Sequence, residues 1–167
     1  MKSESRTGRD ARKLSKIVTL AGTNFRKTGE LAAAASHVVA KRMSLGAAAT
    51  LDPMNADHAE FARIIPEKAQ AFSAAGTAWF RWSGVIAEQM AGYAARELAT
   101  AAEATAAMAT CQTPAGVIAT QSRFAMGWLA RAVSQSIALS SVALRLQSST
   151  MAPVHRVATA NARRFGR

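Results

Sequence analysis

The residues that could carry chemistry are few in this sequence and lie far apart. The three histidines, His37, His58 and His155, do not have the spacing of a metal site. Cys111 is the one cysteine, which excludes an intramolecular disulfide, a CxxC motif and a Cys/His cluster. The sequence contains neither a Gly-rich phosphate loop nor a GxSxG nucleophile motif. We therefore predict no metal and no cofactor, and we interpret Cys111 as a small buried apolar side chain.

The carboxylates offer one local cluster. Asp57 and Glu60 share a helical face, with His58 beside them, but capping of a helix start explains this trio better than acid–base catalysis does. Four further glutamates are spread along one predicted helix, as on a solvated face: Glu67, Glu88, Glu97 and Glu103. The residue types therefore predict a protein that is not an enzyme.

Helices must position all of these residues, because helix-forming residues dominate the composition and no alternating strand pattern occurs. A first helix is predicted over residues 12–49, with glycines that favour a break near residues 28–29. The main helix is predicted over residues 66–109, with Pro66 as its first residue and residues 57–64 as a short or kinked lead-in.

Two breaks separate the predicted helices. Residues 51–53 form the first, because proline disfavours helix in the residue before it, and Asn55 or Asp57 can cap the turn that follows. The second break precedes Pro114, a natural first helical residue, with Thr113 as its N-cap.

Apolar residues recur every seven positions along the main helix, a pattern typical of a helix that lies along a partner helix or a surface. This seven-residue row consists of Ile65, Phe72, Trp79, Ile86 and Tyr93. Trp82 falls off the row and is predicted to be exposed. The third helix carries a second apolar face: Val117, Phe124, Trp128, Leu139, Val142 and Leu146. Helix packing and direct contact with an external surface are both open interpretations of these residues.

Together these elements predict an all-α fold. We expect a long antiparallel hairpin or bundle of amphipathic helices with a helical N-terminal arm and disordered basic ends, including residues 1–12. The third helix is predicted to end near Thr150, with Pro153 as its stop. The predicted division is a basic, partly disordered segment 1–28, a helical domain 29–152 and a basic tail 153–167. Two helices bury limited area, so we expect a homo-oligomer.

The net charge of +11 is concentrated at the two ends of the sequence. Residues 1–42 hold ten Lys/Arg and three Asp/Glu, residues 43–150 hold seven of each, and residues 151–167 hold four Arg and no acid. Solvated tails, nucleic-acid contact and contact with an anionic membrane are the alternatives. The candidate polyanion contacts are Arg6, Arg9, Arg12, Lys13, Lys16, Arg156, Arg163, Arg164 and Arg167. The longest uncharged run, residues 104–122, contains polar residues and a proline, so no transmembrane span is predicted.

Residues 57–76, DHAEFARIIPEKAQAFSAAG, resemble the phasins, the small proteins of bacterial polyhydroxyalkanoate granules. Residues 38–46 resemble the arm before that signature, and Thr113-Pro114 with the later Pro153 resemble the second helix and its end. The resemblance covers roughly residues 36–160 and includes most of the predicted domain 29–152.

The resemblance implies a non-catalytic cytoplasmic protein that coats the polyester surface and controls granule size, number and coalescence. It also implies homo-oligomers and contact with the polyester synthase or depolymerase. An extended apolar helix face with a polar reverse suits such a surface, which offers no pocket. The alternative function is a nucleoid-associated, DNA-binding helical protein that acts through its basic ends; without a recognition motif, such binding would not depend on sequence.

Overall fold

Three long helices make up the fold in a computed structural model that describes the backbone of residues 2–166 and the side chains from Asp10 to Phe165. They are α1, Lys2–Leu51; α2, His58–Ala109; and α3, Pro114–Phe165. A 3-10 turn, Pro53–Asn55, lies between α1 and α2, and the described residues contain no strand. The predicted all-α class is confirmed.

The helix breaks lie where the sequence predicts them, and side-chain caps stabilise them. Asp52 accepts hydrogen bonds from the Asn55 backbone N–H at 3.3 Å and from the Asn55 Nδ2 at 2.8 Å. The Glu60 N–H donates to Asp57 Oδ1 at 2.9 Å, and the Gly116 N–H donates to Thr113 Oγ1 at 3.2 Å. Capping satisfies backbone donors that have no partner within their own helix.

The predicted interruptions inside the helices are wrong. α1 continues through Gly29 without a break, and α2 and α3 continue through Pro66 and Pro153. A glycine costs a helix about 1 kcal/mol and an interior proline about 3 kcal/mol or more. Buried residues on both sides of Pro66, Glu60 and Ala71, hold the helix against this cost.

The ends predicted as disordered are helical in the described residues. α1 begins at Lys2 rather than near Arg12, and α3 reaches Phe165 instead of ending near Thr150. The last turns of α3 have tertiary partners that the sequence does not reveal, because Asn161 is buried and Arg164 forms ion pairs with α2.

The chain divides into two compact units, and each contains segments of all three helices. Unit 1 comprises the residues up to Ile17 together with Trp82–Ala143. Unit 2 comprises Val18–Arg81 and the residues from Leu144 onward. Within unit 2, α1 and α3 run in the same direction, since Asn24 contacts Leu144 and Glu30 contacts His155.

Small side chains form the core. The buried hydrophobic residues of unit 2 are Ala34, Val38, Ala71 and Ala75, and Val142 is the buried hydrophobic residue of unit 1 among the side chains described. Alanine removes little apolar area from water, so this core contributes little hydrophobic stabilisation per residue. Large apolar side chains remain at the surface instead.

Candidate functional site

An open apolar groove lies among the three helices of unit 2. It has a volume of about 520 Å³. Leu31 of α1, Phe72 and Trp79 of α2, and Leu146 and Met151 of α3 contribute large apolar side chains to its walls. The remaining lining residues are Ala75, Gln147, Thr150 and Val154.

The seven-residue row supplies the exposed wall of this groove. The buried alanines on α2, Ala71 and Ala75, are too small to fill the space between the helices. Phe72 and Trp79 therefore keep 64% and 53% of their surface exposed. The groove presents an aromatic wall to solvent and places no charged side chain among its lining residues.

The other predicted apolar residues differ in exposure. Ile65 and Trp128 are exposed, and Val142 is buried. Trp82, predicted as the more exposed tryptophan, is half-buried and thus less exposed than Trp79. The remaining members are half-buried: Ile86, Tyr93, Val117, Phe124, Leu139 and Leu146. The two predicted apolar faces therefore contribute both to helix packing and to the surface.

A polar cluster joins the three helices at another place in unit 2. Glu60 is 3% exposed, and its two carboxylate oxygens accept hydrogen bonds from Arg42 at 3.0 and 2.8 Å and from Arg164 at 2.6 Å. Glu67 accepts hydrogen bonds from Arg42 at 3.0 Å, Arg164 at 3.1 Å and Asn161 at 2.8 Å. The two carboxylates thus balance the two guanidinium groups.

These contacts shift the titration of Glu67. Burial by itself would raise the pKa of its carboxyl group, but the hydrogen bonds from Arg164, Asn161 and Arg42 outweigh burial and lower that pKa. Sequence reasoning missed this cluster, since it assigned Glu60 to a cap trio and Glu67 to a solvated face. The seven-residue spacing of the two glutamates indicates a shared face, but nothing local identifies their partners.

A second, more exposed ion pair lies in unit 1. Arg131 donates to both carboxylate oxygens of Glu97, at 2.6 and 3.0 Å, and its guanidinium stands 5.7 Å from the ring centre of Phe124. The hydrogen bond from Arg131 lowers the pKa of Glu97. Cys111 is half-buried, with its Sγ 3.8 Å from the hydroxyl of Thr120. The Arg131–Glu97 pair joins α3 to α2, which run antiparallel across the short link from Ala109 to Pro114.

The basic residues fall into two groups. Arg12, Lys16, Arg156 and Arg163 are exposed, and so is Lys13, which lies 3.6 Å from Asp10. Arg164, predicted as a polyanion contact, is instead engaged with Glu60 and Glu67. The side chains of Arg6, Arg9 and Arg167 lie outside the described residues.

Two of the three histidines have side-chain contacts: the His58 ring lies 3.1 Å from the Pro53 carbonyl, and the His155 ring of α3 lies 3.1 Å from the Glu30 carboxylate of α1. Within the described side chains, no group of three or more His, Cys, Asp or Glu residues could hold a metal ion. In unit 1 the Glu97–Arg131 pair lines a small cleft together with the hydroxyl side chains of Tyr93 and Ser134, whereas the lining residues of the open groove of unit 2 include no charged side chain. The geometry defines a helical amphiphile with large apolar side chains at its surface.

The comparison with protein families identifies this amphiphile more closely. The sequence model of the family described as Phasin protein matches residues 59–157, which is more than half of the chain. The chain belongs to the phasin family. No curated protein and no solved structure matches it.

Family membership establishes the general role of the chain. Phasins are non-catalytic coat proteins of polyhydroxyalkanoate granules, so this chain is a cytoplasmic granule-associated protein. The groove wall formed by α2 and α3 lies inside the matched segment, whereas α1 lies entirely outside it. Among the described residues, no helix has the length and apolar character needed to cross a membrane.

Proposed function

We propose that the protein coats the polyester surface through the open groove of unit 2 and so controls granule size, number and coalescence. The observation that carries this proposal is the exposed aromatic wall, Phe72 and Trp79, in a phasin that has a small alanine-rich core. A polyester surface is apolar, and removing these side chains from water at that surface is favourable.

The exposed aromatic area limits the free energy that contact with the polyester surface can contribute. Phenylalanine and tryptophan side chains present about 150–250 Å² each, so the exposed parts of Phe72 and Trp79 amount to about 250 Å². At about 25 cal/mol per Å², complete removal from water contributes at most ~6 kcal/mol. Partial contact with a flat surface realises a fraction of this value, which suits reversible attachment.

Co-sedimentation with polyester particles tests the groove directly. The double variant Phe72→Asn/Trp79→Asn should lower the affinity for particles by about tenfold or more, which corresponds to ~1.4 kcal/mol or more. Phe80→Asn is the matched control, because Phe80 is 77% exposed and adjacent in sequence but is not a lining residue of the groove. Equal loss of binding in the control and the double variant would contradict a role specific to the groove.

A cellular experiment tests granule control. A fluorescent fusion of the full chain should decorate polyester inclusions, and deletion of the gene should change their number and size. A fusion that stays diffuse in cells filled with inclusions would refute the proposal. Contacts with the polyester synthase or depolymerase are a further proposal, tested by co-purification of either enzyme with washed granules.

Non-specific DNA binding is the second candidate function, supported by the exposed cations Arg12, Lys13, Lys16, Arg156 and Arg163. Lysine and arginine neutralise phosphates without reading sequence, and such binding weakens steeply as salt rises. A gel-shift titration with duplex DNA at low and moderate salt tests it. No shift at low salt excludes this function, and loss on neutralising these five residues supports it.

A further inference from the structure

α1 carries a long, largely apolar face in unit 2 that this chain leaves uncovered. Its large side chains are exposed: Val18 by 71%, Phe25 by 83%, Val39 by 56% and Met43 by 71%. At about 100° per residue, they share an arc of about 100° with smaller exposed residues and with no charged residue. We call this the α1 face, and its residues are Val18, Gly22, Phe25, Gly29, Ala32, Ser36, Val39 and Met43.

The spacing of the α1 face favours a helix as its partner. Its residues alternate steps of four and three from Val18 to Met43, which is a seven-residue repeat. Along a straight helix such a repeat drifts by about 20° every seven residues, so a flat surface loses contact toward the ends. A second helix can supercoil around α1 and follow the drift.

Two glycines on the α1 face indicate close approach by that helix. Gly22 and Gly29 are exposed, and among the described residues a Cβ added at either would have no heavy atom within 4 Å beyond its chain neighbours and the adjacent turns of its own helix backbone. Each glycine nevertheless costs an α-helix about 1 kcal/mol relative to alanine. The fold of this chain gains no packing from their small size, whereas a closely packed partner helix would.

We infer that the α1 face binds the α1 face of a second copy of this chain in antiparallel orientation. In that orientation Phe25 lies opposite Ser36 of the second copy and Val39 opposite Gly22, so two of the large residues meet small ones, while Val18 lies opposite Met43. A parallel pair would stack Phe25 on Phe25 and Gly29 on Gly29, which leaves voids. The face contains no charge, so the pairing buries no unpaired ion. Ser36 is its one polar side chain, and a helical serine hydroxyl can donate to the carbonyl four residues earlier in its own helix.

Charge near the face also favours the antiparallel pair. Arg12, Lys13 and Lys16 precede the face directly in the sequence. A parallel pair would bring two copies of this basic cluster side by side, whereas an antiparallel pair keeps the two clusters apart. The two-fold symmetry closes the assembly at a dimer, because each face is used once.

The contact area predicts a reversible dimer. Residues 18–43 span about 39 Å at 1.5 Å per residue, and a strip about 11 Å wide covers ~430 Å² of each helix. The total of ~860 Å² is at the low end for a specific interface. Association should therefore depend on protein concentration, and the faces can separate.

Sedimentation of the full chain without polyester tests the dimer. Gly29→Leu and Phe25→Lys should each raise the dimer dissociation constant by about tenfold or more. Gly84→Leu is the matched control, because Gly84 is also an exposed helical glycine with no atom within 4 Å of an added Cβ. Far-UV circular dichroism should stay unchanged, since leucine favours helix and these positions are exposed.

Cysteine cross-linking in a Cys111→Ser background tests the orientation. Val18→Cys and Met43→Cys proteins should each fail to cross-link alone and should form a mixed disulfide when combined. Cross-linking of Val18→Cys protein with itself would overturn the antiparallel pair.

A chain that stays monomeric, or a Gly29→Leu variant that associates as the unaltered chain does, would overturn the dimer itself. If that variant changed only binding to polyester particles, the α1 face would lie on the polyester instead. Because the sedimentation assay contains no polyester, failure of this inference is distinct from failure of the groove to bind granules.

Discussion

Replacing Glu60 with glutamine should destabilise unit 2 through the polar cluster. Glu60 is 3% exposed, and both of its oxygens accept hydrogen bonds from guanidinium groups, those of Arg42 and Arg164. Glutamine keeps the shape but removes the negative charge and replaces one acceptor oxygen with a donor NH₂ group. That NH₂ group would then face a guanidinium, which is also a donor.

The exposure of the two arginines and the presence of Glu67 determine how much stability Glu60→Gln removes. Removing one partner of a fully buried ion pair costs about 3–5 kcal/mol. Here the side chains of Arg42 and Arg164 are 17% and 34% exposed, and both retain Glu67, so water and the second carboxylate offset part of the loss. We therefore expect a decrease in the free energy of unfolding of about 2–3 kcal/mol, or a melting temperature lower by about 4–12 °C.

Urea and thermal unfolding followed by far-UV circular dichroism measure this decrease. Glu88→Gln is the control, because Glu88 is an exposed glutamate on the same helix, α2. A change below about 0.5 kcal/mol for Glu60→Gln, the range of ordinary surface substitutions, would refute the reasoning. The same would follow if Glu88→Gln destabilised the chain equally.

Three further predictions concern stability. Hydrogen bonds from Arg164 and its neighbours outweigh burial and hold the folded-state pKa of Glu67 below the ordinary 4.5. The ionised Glu67 carboxylate therefore stabilises the fold above pH 4.5, and this stabilisation is lost as pH falls through the folded-state pKa. Urea midpoints in an acid titration should show this loss, and a slope unchanged by Glu67→Gln would contradict it. Asp57→Ala removes the cap of α2 and should lower the free energy of unfolding by about 1 kcal/mol, whereas an unchanged thermal transition would exclude that role. Gly84→Ala should raise the free energy of unfolding by about 0.5–1 kcal/mol in the same thermal assay, because the added Cβ meets no close neighbour. A decrease in the free energy of unfolding would show that the glycine is needed.

Local signals in the sequence predicted three helical regions, the two breaks between them and the candidate caps, but not where each helix begins and ends. Thr113 caps α3 as predicted, and of the two predicted candidates Asn55 and Asp57 it is Asp57 that caps α2; each accepts from the backbone N–H three residues later. The seven-residue row through Phe72 and Trp79 is likewise a property of one helix, so its common face could be predicted. The sequence could not predict which part of that face meets another helix, because the exposure of each side chain depends on where the other helices pass.

The sequence by itself determined the all-α class, the two breaks between helices, the concentration of positive charge at the ends and the resemblance to phasins. Each of these depends on residues close together in the chain or on composition. Only the tertiary structure decided that α2 and α3 continue through Pro66 and Pro153, that Glu60 is buried and that Arg164 is engaged in ion pairs. Partners about 100 positions apart in the sequence make these contacts, as between Glu60 and Arg164, and no local pattern encodes which distant residues meet. The open groove has the same origin, since small buried alanines on α2 leave the aromatic wall uncovered once the three helices pack.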